Sequence, residues 1–433
     1  MLLNDVKNKL TDFGISNKKQ IVLSISGGVD SIVLLDLLSK LNYINIHLIH
    51  FNYSLHENAN KASSFIEKIA LENNYFYKIY YPNIPKKNFE CLSRNNRYEL
   101  LLKYSNNFNC DCILTAHHFD DQLETLIMND NKNADWISFL GVREKYGNIF
   151  RPLLDMKKNK IYNYACKNKL VWFEDDTNNS LLFLRNNVRK KLAEKKYSKD
   201  YISSLLDKHN ESKIKMLKYK LDEDKYSPFL YSFSNNVLFL SKNVKDYFEG
   251  ACLKLFVKKI ISLKFNLIIN KSNNFWFLLY DFIDKCNLGS SFYFSEKIIL
   301  KCERENFIIY NKEKLEAFYK IEISGKTQWN ETFFSVKNSY SSAKCIDVLK
   351  CPNDIIEKGL YVTNWIHGDT IKTNKGFTKK VSDIFINNKM SYYDKKNYPI
   401  IRDSNNHIIW RPNLEFEKFN TNNTTNIYWM RYE

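Results

Sequence analysis

The sequence predicts an α/β fold: a mostly parallel sheet with helices on both faces, followed by two smaller α+β domains. Three observations predict it. Apolar runs of strand length at residues 21–25, 44–51, 75–81 and 112–116 alternate with segments of helical spacing, the rhythm of a parallel sheet built through crossover helices. Between about Lys190 and Lys220 the chain turns polar and charged on a helical period, which suits a long connecting helix. Beyond it, Phe, Tyr and Leu interleave with Lys and Asn, and short β-like runs return near Glu331–Val336, Val362–Ile366 and His407–Trp410, with Gly368 and Gly376 as turn residues. The boundaries expected from these shifts are a first domain at 1–195, a helical linker at 196–225, a middle domain at 226–325 and a C-terminal domain at 326–433.

Composition narrows the function classes. With 433 residues, 44% hydrophobic and 15% aromatic, the chain can build two to four cored domains and is not of the disordered class. No apolar run approaches the roughly 18 residues of a membrane helix, and Met1 to Leu10 mixes Asn, Asp and Lys with its leucines rather than forming a secretory signal. The expectation is a cytoplasmic protein without a membrane partner. A net charge of +17 favours a polyanion such as nucleic acid or an anionic membrane surface. Charge alone does not choose, because much of the excess is Lys scattered among Asn, Ile, Tyr and Phe, the bias of an A/T-rich genome. Nine cysteines without a regular framework and without any Cys-x-x-Cys point to reduced thiols.

Taken in order, the first strand runs directly into Ser26-Gly27-Gly28-Val29-Asp30-Ser31, and Ile32, Val33, Leu35 and Leu38 then carry a helical period. A strand, a glycine turn and a helix N-terminus make an anion site, with Ser26 and Ser31 adding hydroxyl donors. The loop is not a Walker motif, since no Gly-x-x-x-x-Gly-Lys-Ser/Thr occurs. Next, Ser93-Arg94-Asn95-Asn96-Arg97-Tyr98 sets two arginines three apart on a helix, suited to phosphates. The strand at 112–116 leads into Leu114-Thr115-Ala116-His117-His118-Phe119-Asp120-Asp121-Gln122-Leu123-Glu124-Thr125. Asp121 and Glu124 therefore lie one turn apart on one helix face, able to share a magnesium ion, to act as a base, or simply to complement the helix dipole. Arg151-Pro152-Leu153-Leu154, Trp172 to Asn178 and Arg185-Asn186-Asn187-Val188-Arg189 follow, each consistent by itself with a surface patch.

In this order and spacing the segments resemble the tRNA(Ile)-lysidine synthetase family of the ATP pyrophosphatase (PP-loop) superfamily, from about Ile21 to Arg189. A second stretch, His367-Gly368-Asp369 with Lys379-Lys380-Val381-Ser382-Asp383-Ile384-Phe385-Ile386, looks like that family's terminal tRNA-binding domain. The resemblance implies an adenine nucleotide alpha hydrolase-like first domain that binds ATP and Mg2+ at Ser26, Gly27, Gly28, Val29, Asp30 and Ser31. It implies adenylation of the wobble cytidine of an isoleucine tRNA with a CAU anticodon, followed by attack of free lysine. Asp121, Glu124, Arg94, Arg97 and His117 are the implied catalytic residues, Asp30 and Asp121 the magnesium ligands, and Arg185, Arg189, Lys372, Lys379 and Lys380 the tRNA contacts. The chain departs from the family pattern at three places. Tyr53 and His56 stand near an expected histidine and arginine, Asn129 to Asp135 replaces a Gly-Ser-Gly stretch, and Asp394 with Lys395 and Lys396 replaces an arginine. The alternatives are a tRNA-thiolating relative, for which paired cysteines are wanting, and a non-catalytic basic RNA-binding protein, which leaves the Ser-Gly-Gly loop unexplained.

Overall fold

A computed structural model describes the chain apart from residues 1, 54–57, 86–88, 174–183, 338–344, 373–376, 414, 417–418, 420–422 and 432–433. It divides into two compact units, Met1–Leu217 and Lys218–Glu433.

The first unit begins with α1 (Leu2–Asp12), β1 (Ile21–Ser24), α2 (Val29–Lys40), β2 (Ile46–Phe51), α3 (Asn58–Glu72), β3 (Phe76–Tyr80), α4 (Phe89–Asn107), β4 (Cys112–Thr115) and α5 (Phe119–Asp130). It continues with β5 (Lys145–Tyr146), β6 (Ile149–Phe150), α6 (Lys158–Lys167) and α7 (Leu184–Ala193), and with the first part of α8 (Lys199–Leu230). The strands form one sheet in the order β3-β2-β1-β4-β6-β5. Every pairing is parallel except that of β5 with β6.

Burial on both faces explains why β1 reads as an unbroken apolar run rather than an alternation. Ile21 and Leu23 enter one core with Leu10 of α1, Val33 and Leu37 of α2, Ile66 of α3 and Ile161 of α6. Val22 enters a second core with Leu101 and Tyr104 of α4 and Ile113 of β4. Each fully buried aliphatic side chain of this kind contributes about 1.5–3 kcal/mol, so the strand that carries the glycine loop is held firmly. Chain order reverses on either side of β1, with β2 on one flank and β4 on the other. In open α/β sheets a ligand crevice forms at such a reversal, beyond the strands' C-terminal ends.

In the second unit, residues 231–234, 237–241, 306–311, 298–302 and 291–293 form a five-stranded antiparallel sheet in that spatial order. A second five-stranded sheet orders 320–322, 361–363, 400–402, 408–411 and 415–416, and a four-stranded one orders 326–329, 332–337, 424–431 and 345–352. The segments before and after residue 325 are joined within this unit. The Tyr392 hydroxyl donates to Glu316 at 2.7 Å, Asn235 donates to Glu331 at 3.2 Å and to the Tyr393 hydroxyl at 2.9 Å, and Tyr392 packs with Tyr310. Among the described residues no helix is long and apolar enough to cross a membrane.

Candidate active site at the strand ends

The loop after β1 is braced by its own serines. The Ser31 hydroxyl donates to the Gly28 carbonyl at 2.9 Å and accepts from the Ser26 amide at 3.2 Å, while the two hydroxyls lie 3.2 Å apart. The Gly28 amide donates to the Ser26 hydroxyl at 3.2 Å. Gly27 sits at φ +88, a left-handed conformation that costs an L side chain about 1–2 kcal/mol, so glycine there is required by the backbone. Gly28 is the N-cap of α2 with no side chain satisfying the helix's first amides, which leaves these donors and the positive end of the helix dipole for an anion.

Asp30 stands in the first turn of α2, a favoured place for an acid. Its Oδ2 lies 3.2 Å from the Lys158 ammonium and 3.6 Å from His118 Nε2. Its Oδ1 is buried and has no hydrogen-bond partner among the described residues. Among the described residues no group of three or more His, Cys, Asp or Glu could hold a metal by itself. Mg2+ bound with a nucleotide needs only one or two protein carboxylates, the phosphates and water completing its shell. The open oxygen of Asp30 beside an anion cradle fits that requirement. Asp121 fits it less directly, because its Oδ2 already accepts the His118 amide at 3.0 Å.

The end of β4 supplies the opposite wall. Thr115 Oγ1 lies 2.9 Å from His117 Nδ1. Burial holds the His117 pKa well below the ordinary imidazole value; Asp121 pulls the other way, and Arg151, Arg185 and Arg94 push it further down. His117 is therefore a neutral imidazole at neutral pH. Burial tends to raise the Asp121 pKa, but His118, His117 and Arg185 together with the His118 amide hold it below the usual carboxylate value, so Asp121 is ionised. Glu124 is buried, and both of its oxygens are taken by guanidiniums: Arg185 Nε donates to Oε2 at 2.8 Å, and Arg189 donates from Nε to Oε1 at 2.7 Å and from Nη2 to Oε2 at 3.2 Å. Asp121 Oδ1 lies 3.6 Å from Arg185 and 3.8 Å from Arg189. The two arginines expected at the tRNA thus fasten α7 onto α5.

On α4, Arg94 lies 5.8 Å from the centre of the Tyr98 ring and Arg97 lies 5.9 Å from that of Tyr53. Tyr98 accepts Arg151 at 2.9 Å, and Arg97 Nε is buried with no hydrogen-bond partner among the described residues. Arg97 also contributes to lowering the pKa of His50, whose first cause is burial. The structure therefore brings together Ser26 to Ser31, Asp121, Glu124, His117, Arg94, Arg97, Arg185 and Arg189 in one unit. Lys372, Lys379 and Lys380 belong to the other, on a two-stranded ribbon where Thr370–Lys372 pairs with Thr378–Lys380; Lys379 and Lys380 are exposed. Lys375 and Gly376, His56, and the run from Glu174 to Asn178 lie outside the described residues.

Sequence reasoning passed over Lys158, and it gave no individual role to His118 or the buried Arg151, although both stand in the segments that carry the resemblance. Arg151 had a weak signal in its Arg-Pro pair. Lys158 had none, being one of 65 lysines and arginines. The nine cysteines are free thiols. Cys112 opens β4 at the end remote from the glycine loop and Cys110 lies two residues before it, and burial pushes their pKa up to about 12 and about 11, so neither offers a thiolate for sulfur transfer.

Comparison with known proteins adds relatives to this geometry. A PP-loop domain family profile matches residues 2–196. The tRNA(Ile)-lysidine synthase of Mycoplasma mycoides subsp. mycoides SC is 25% identical, with 92% of this chain and 97% of the relative covered. That of Enterococcus faecalis is 24% identical, with 90% of each covered. The bifunctional protein TilS/HprT of Listeria innocua serovar 6a is 24% identical over 93% of this chain, which spans 65% of that longer protein.

Proposed function

We propose that this chain is a tRNA(Ile)-lysidine synthase of the PP-loop superfamily, as its similarity to such enzymes supports, and that it ligates lysine to C2 of the wobble cytidine in the CAU anticodon of an isoleucine tRNA. ATP is consumed to AMP and pyrophosphate, and codon reading changes from AUG to AUA. The observation that supports this reading best is the meeting of a hydroxyl-braced glycine loop with an ionised Asp121 and several guanidiniums at the C-terminal ends of β1 and β4.

The chemical problem is a poor leaving group, a ring carbonyl oxygen. In the first step O2 of the cytidine attacks the α-phosphorus of ATP; the bond to the bridging oxygen breaks, and its electron pair leaves with pyrophosphate. In the second, the ε-amine of lysine attacks C2, the C2–O2 bond breaks, and AMP departs with that pair. The attacking amine has to shed a proton, and its pKa of about 10.4 in water calls for a nearby base or a desolvating pocket.

Ser26 to Ser31 hold the phosphates through backbone amides and hydroxyls. When bound, Mg2+ supplies charge neutralisation on the phosphates; Asp30, with its open Oδ1, is its first ligand and Asp121 the second candidate. Asp121 also recognises the lysine ammonium as an ionised carboxylate. His117, neutral, orients rather than titrates. Arg94 and Arg97 meet phosphates of ATP or RNA. Glu124 is a positioning residue that sets the guanidiniums of Arg185 and Arg189 on the side that meets the tRNA, and Lys372, Lys379 and Lys380 supply further phosphate contacts. A cytoplasmic location suits these substrates.

The test is mass analysis of tRNA after incubation with the protein, ATP, Mg2+ and labelled lysine. Label confined to the CAU-anticodon isoleucine tRNA, with AMP and pyrophosphate released, is the expected result. Release of ADP, incorporation of sulfur, or an unlabelled tRNA would refute the reading.

A further inference from the structure

A glycine loop without a Walker lysine leaves the pyrophosphate end of ATP, the most highly charged part of the substrate, with no ammonium from the loop itself. A cation stands beside it nonetheless. Lys158, the first residue of α6, places its Nζ 3.2 Å from Asp30 Oδ2. The base of this residue is pinned: its backbone amide donates to Asp120 Oδ2 at 2.8 Å, and two residues earlier the Met156 carbonyl accepts the Phe119 amide at 2.9 Å, so the approach to α6 is tied to the first turn of α5. The far end of α6 is tied to α2, where Tyr164 donates to Asp36 at 2.8 Å and Lys40 donates to Asn168 at 2.7 Å. The side chain itself stays about half exposed, at 47%. A fixed root with a mobile ammonium is what a group needs if it is to change partners.

We infer that Lys158 is a further catalytic residue, which neutralises Asp30 while the loop is empty and moves to the departing pyrophosphate when ATP is bound. This rests on the reading above and assigns a role within the same site. Asp30 Oδ2 is shared between Lys158 and His118, whereas Oδ1 has no partner among the described residues. With a magnesium nucleotide bound, Asp30 would serve the metal through its open oxygen and Lys158 would take the pyrophosphate oxygens in exchange. As the bond from the α-phosphorus to the bridging oxygen breaks, negative charge accumulates on pyrophosphate, and an ammonium placed there stabilises the transition state more than the ground state.

The experiment measures binding, without turnover, on the full chain. Titration calorimetry with magnesium pyrophosphate, with AMP and with tRNA is compared among wild type, Lys158→Ala and Lys158→Arg. The expected result is pyrophosphate affinity weakened about ten- to a hundredfold in Lys158→Ala, the size of one charge-assisted hydrogen bond, with AMP and tRNA affinities unchanged and partial recovery in Lys158→Arg. Unchanged pyrophosphate affinity in Lys158→Ala overturns the inference and leaves the lysidine reading standing. Parallel loss of pyrophosphate and AMP overturns it too, since that is the mark of a merely structural tie. If the wild-type chain binds neither pyrophosphate nor AMP, the lysidine reading falls and takes this assignment with it.

Discussion

Replacing Glu124 by Gln separates a clamp from a catalytic base. The carboxylate side chain is 2% exposed and accepts three guanidinium N–H groups at 2.7, 2.8 and 3.2 Å. Glutamine keeps the shape but offers one acceptor oxygen, and its amide N–H2 then faces a guanidinium donor. Removing one partner from a fully buried ion pair costs about 3–5 kcal/mol. Here Arg185 and Arg189 are 20% and 38% exposed, so water screens part of the loss and the expected destabilisation is about 2–4 kcal/mol. That is a large share of the roughly 5–15 kcal/mol typical of a folded domain. Urea denaturation of wild type, Glu124→Gln, Arg185→Gln and the double variant gives a cycle in which the Glu124–Arg185 coupling is expected at about 0.5–3 kcal/mol. At permissive temperature the variant's pH–rate profile keeps its shape, because a clamp does not exchange protons with substrate. A loss within about 0.5 kcal/mol, the ordinary range for surface changes, or a coupling near zero, refutes the clamp; a displaced limb of the pH–rate profile assigns Glu124 to proton transfer instead.

Three other expectations follow from the same geometry. Asp30→Ala and Ser31→Ala abolish adenylation, read as labelled pyrophosphate release, with tRNA affinity nearly unchanged, since Asp30 holds the open oxygen and Ser31 the loop brace; loss of RNA binding with normal turnover is the contrary outcome. Lys379→Ala with Lys380→Ala weakens tRNA binding and flattens the plot of log affinity against log salt by roughly 0.7–0.9 for each phosphate the variant no longer neutralises, leaving ATP affinity intact; an unchanged slope in a folded variant moves the RNA-binding surface elsewhere. His47, His50, His117 and His209 all have pKa values lowered first by burial. Below about pH 6.5 the unfolded imidazoles take up protons that the folded ones refuse, so stability falls as pH falls, by up to about 1.4 kcal/mol per unit for each proton. A urea midpoint that holds steady or rises between about pH 7.5 and pH 5 contradicts this.

How much of this was legible in the sequence depends on how each signal arises. The parallel sheet was legible because β1, β2 and β4 are buried on both faces and must read as apolar runs, and the anion loop was legible because Gly27 at φ +88 admits little but glycine. Other turns were hidden by substitution. The chain has 11 glycines, and among the described residues ten of the thirteen non-glycine residues at positive φ are asparagines, Asn133 in the stretch that replaces Gly-Ser-Gly among them. Asparagine tolerates the left-handed region better than other L residues, so in an Asn-rich chain a turn looks like ordinary polar sequence. The pairing of Glu124 with Arg185 and Arg189 was hidden for a different reason: the partners lie 61 and 65 residues apart, and nothing local distinguishes a guanidinium bound for RNA from one bound for a buried carboxylate. Spacing along a helix fixed which acids share a face. Their partners were fixed by how α7 returns to α5, and that is why Glu124, which reads as half of a carboxylate pair, stands in the fold as the anchor of two arginines.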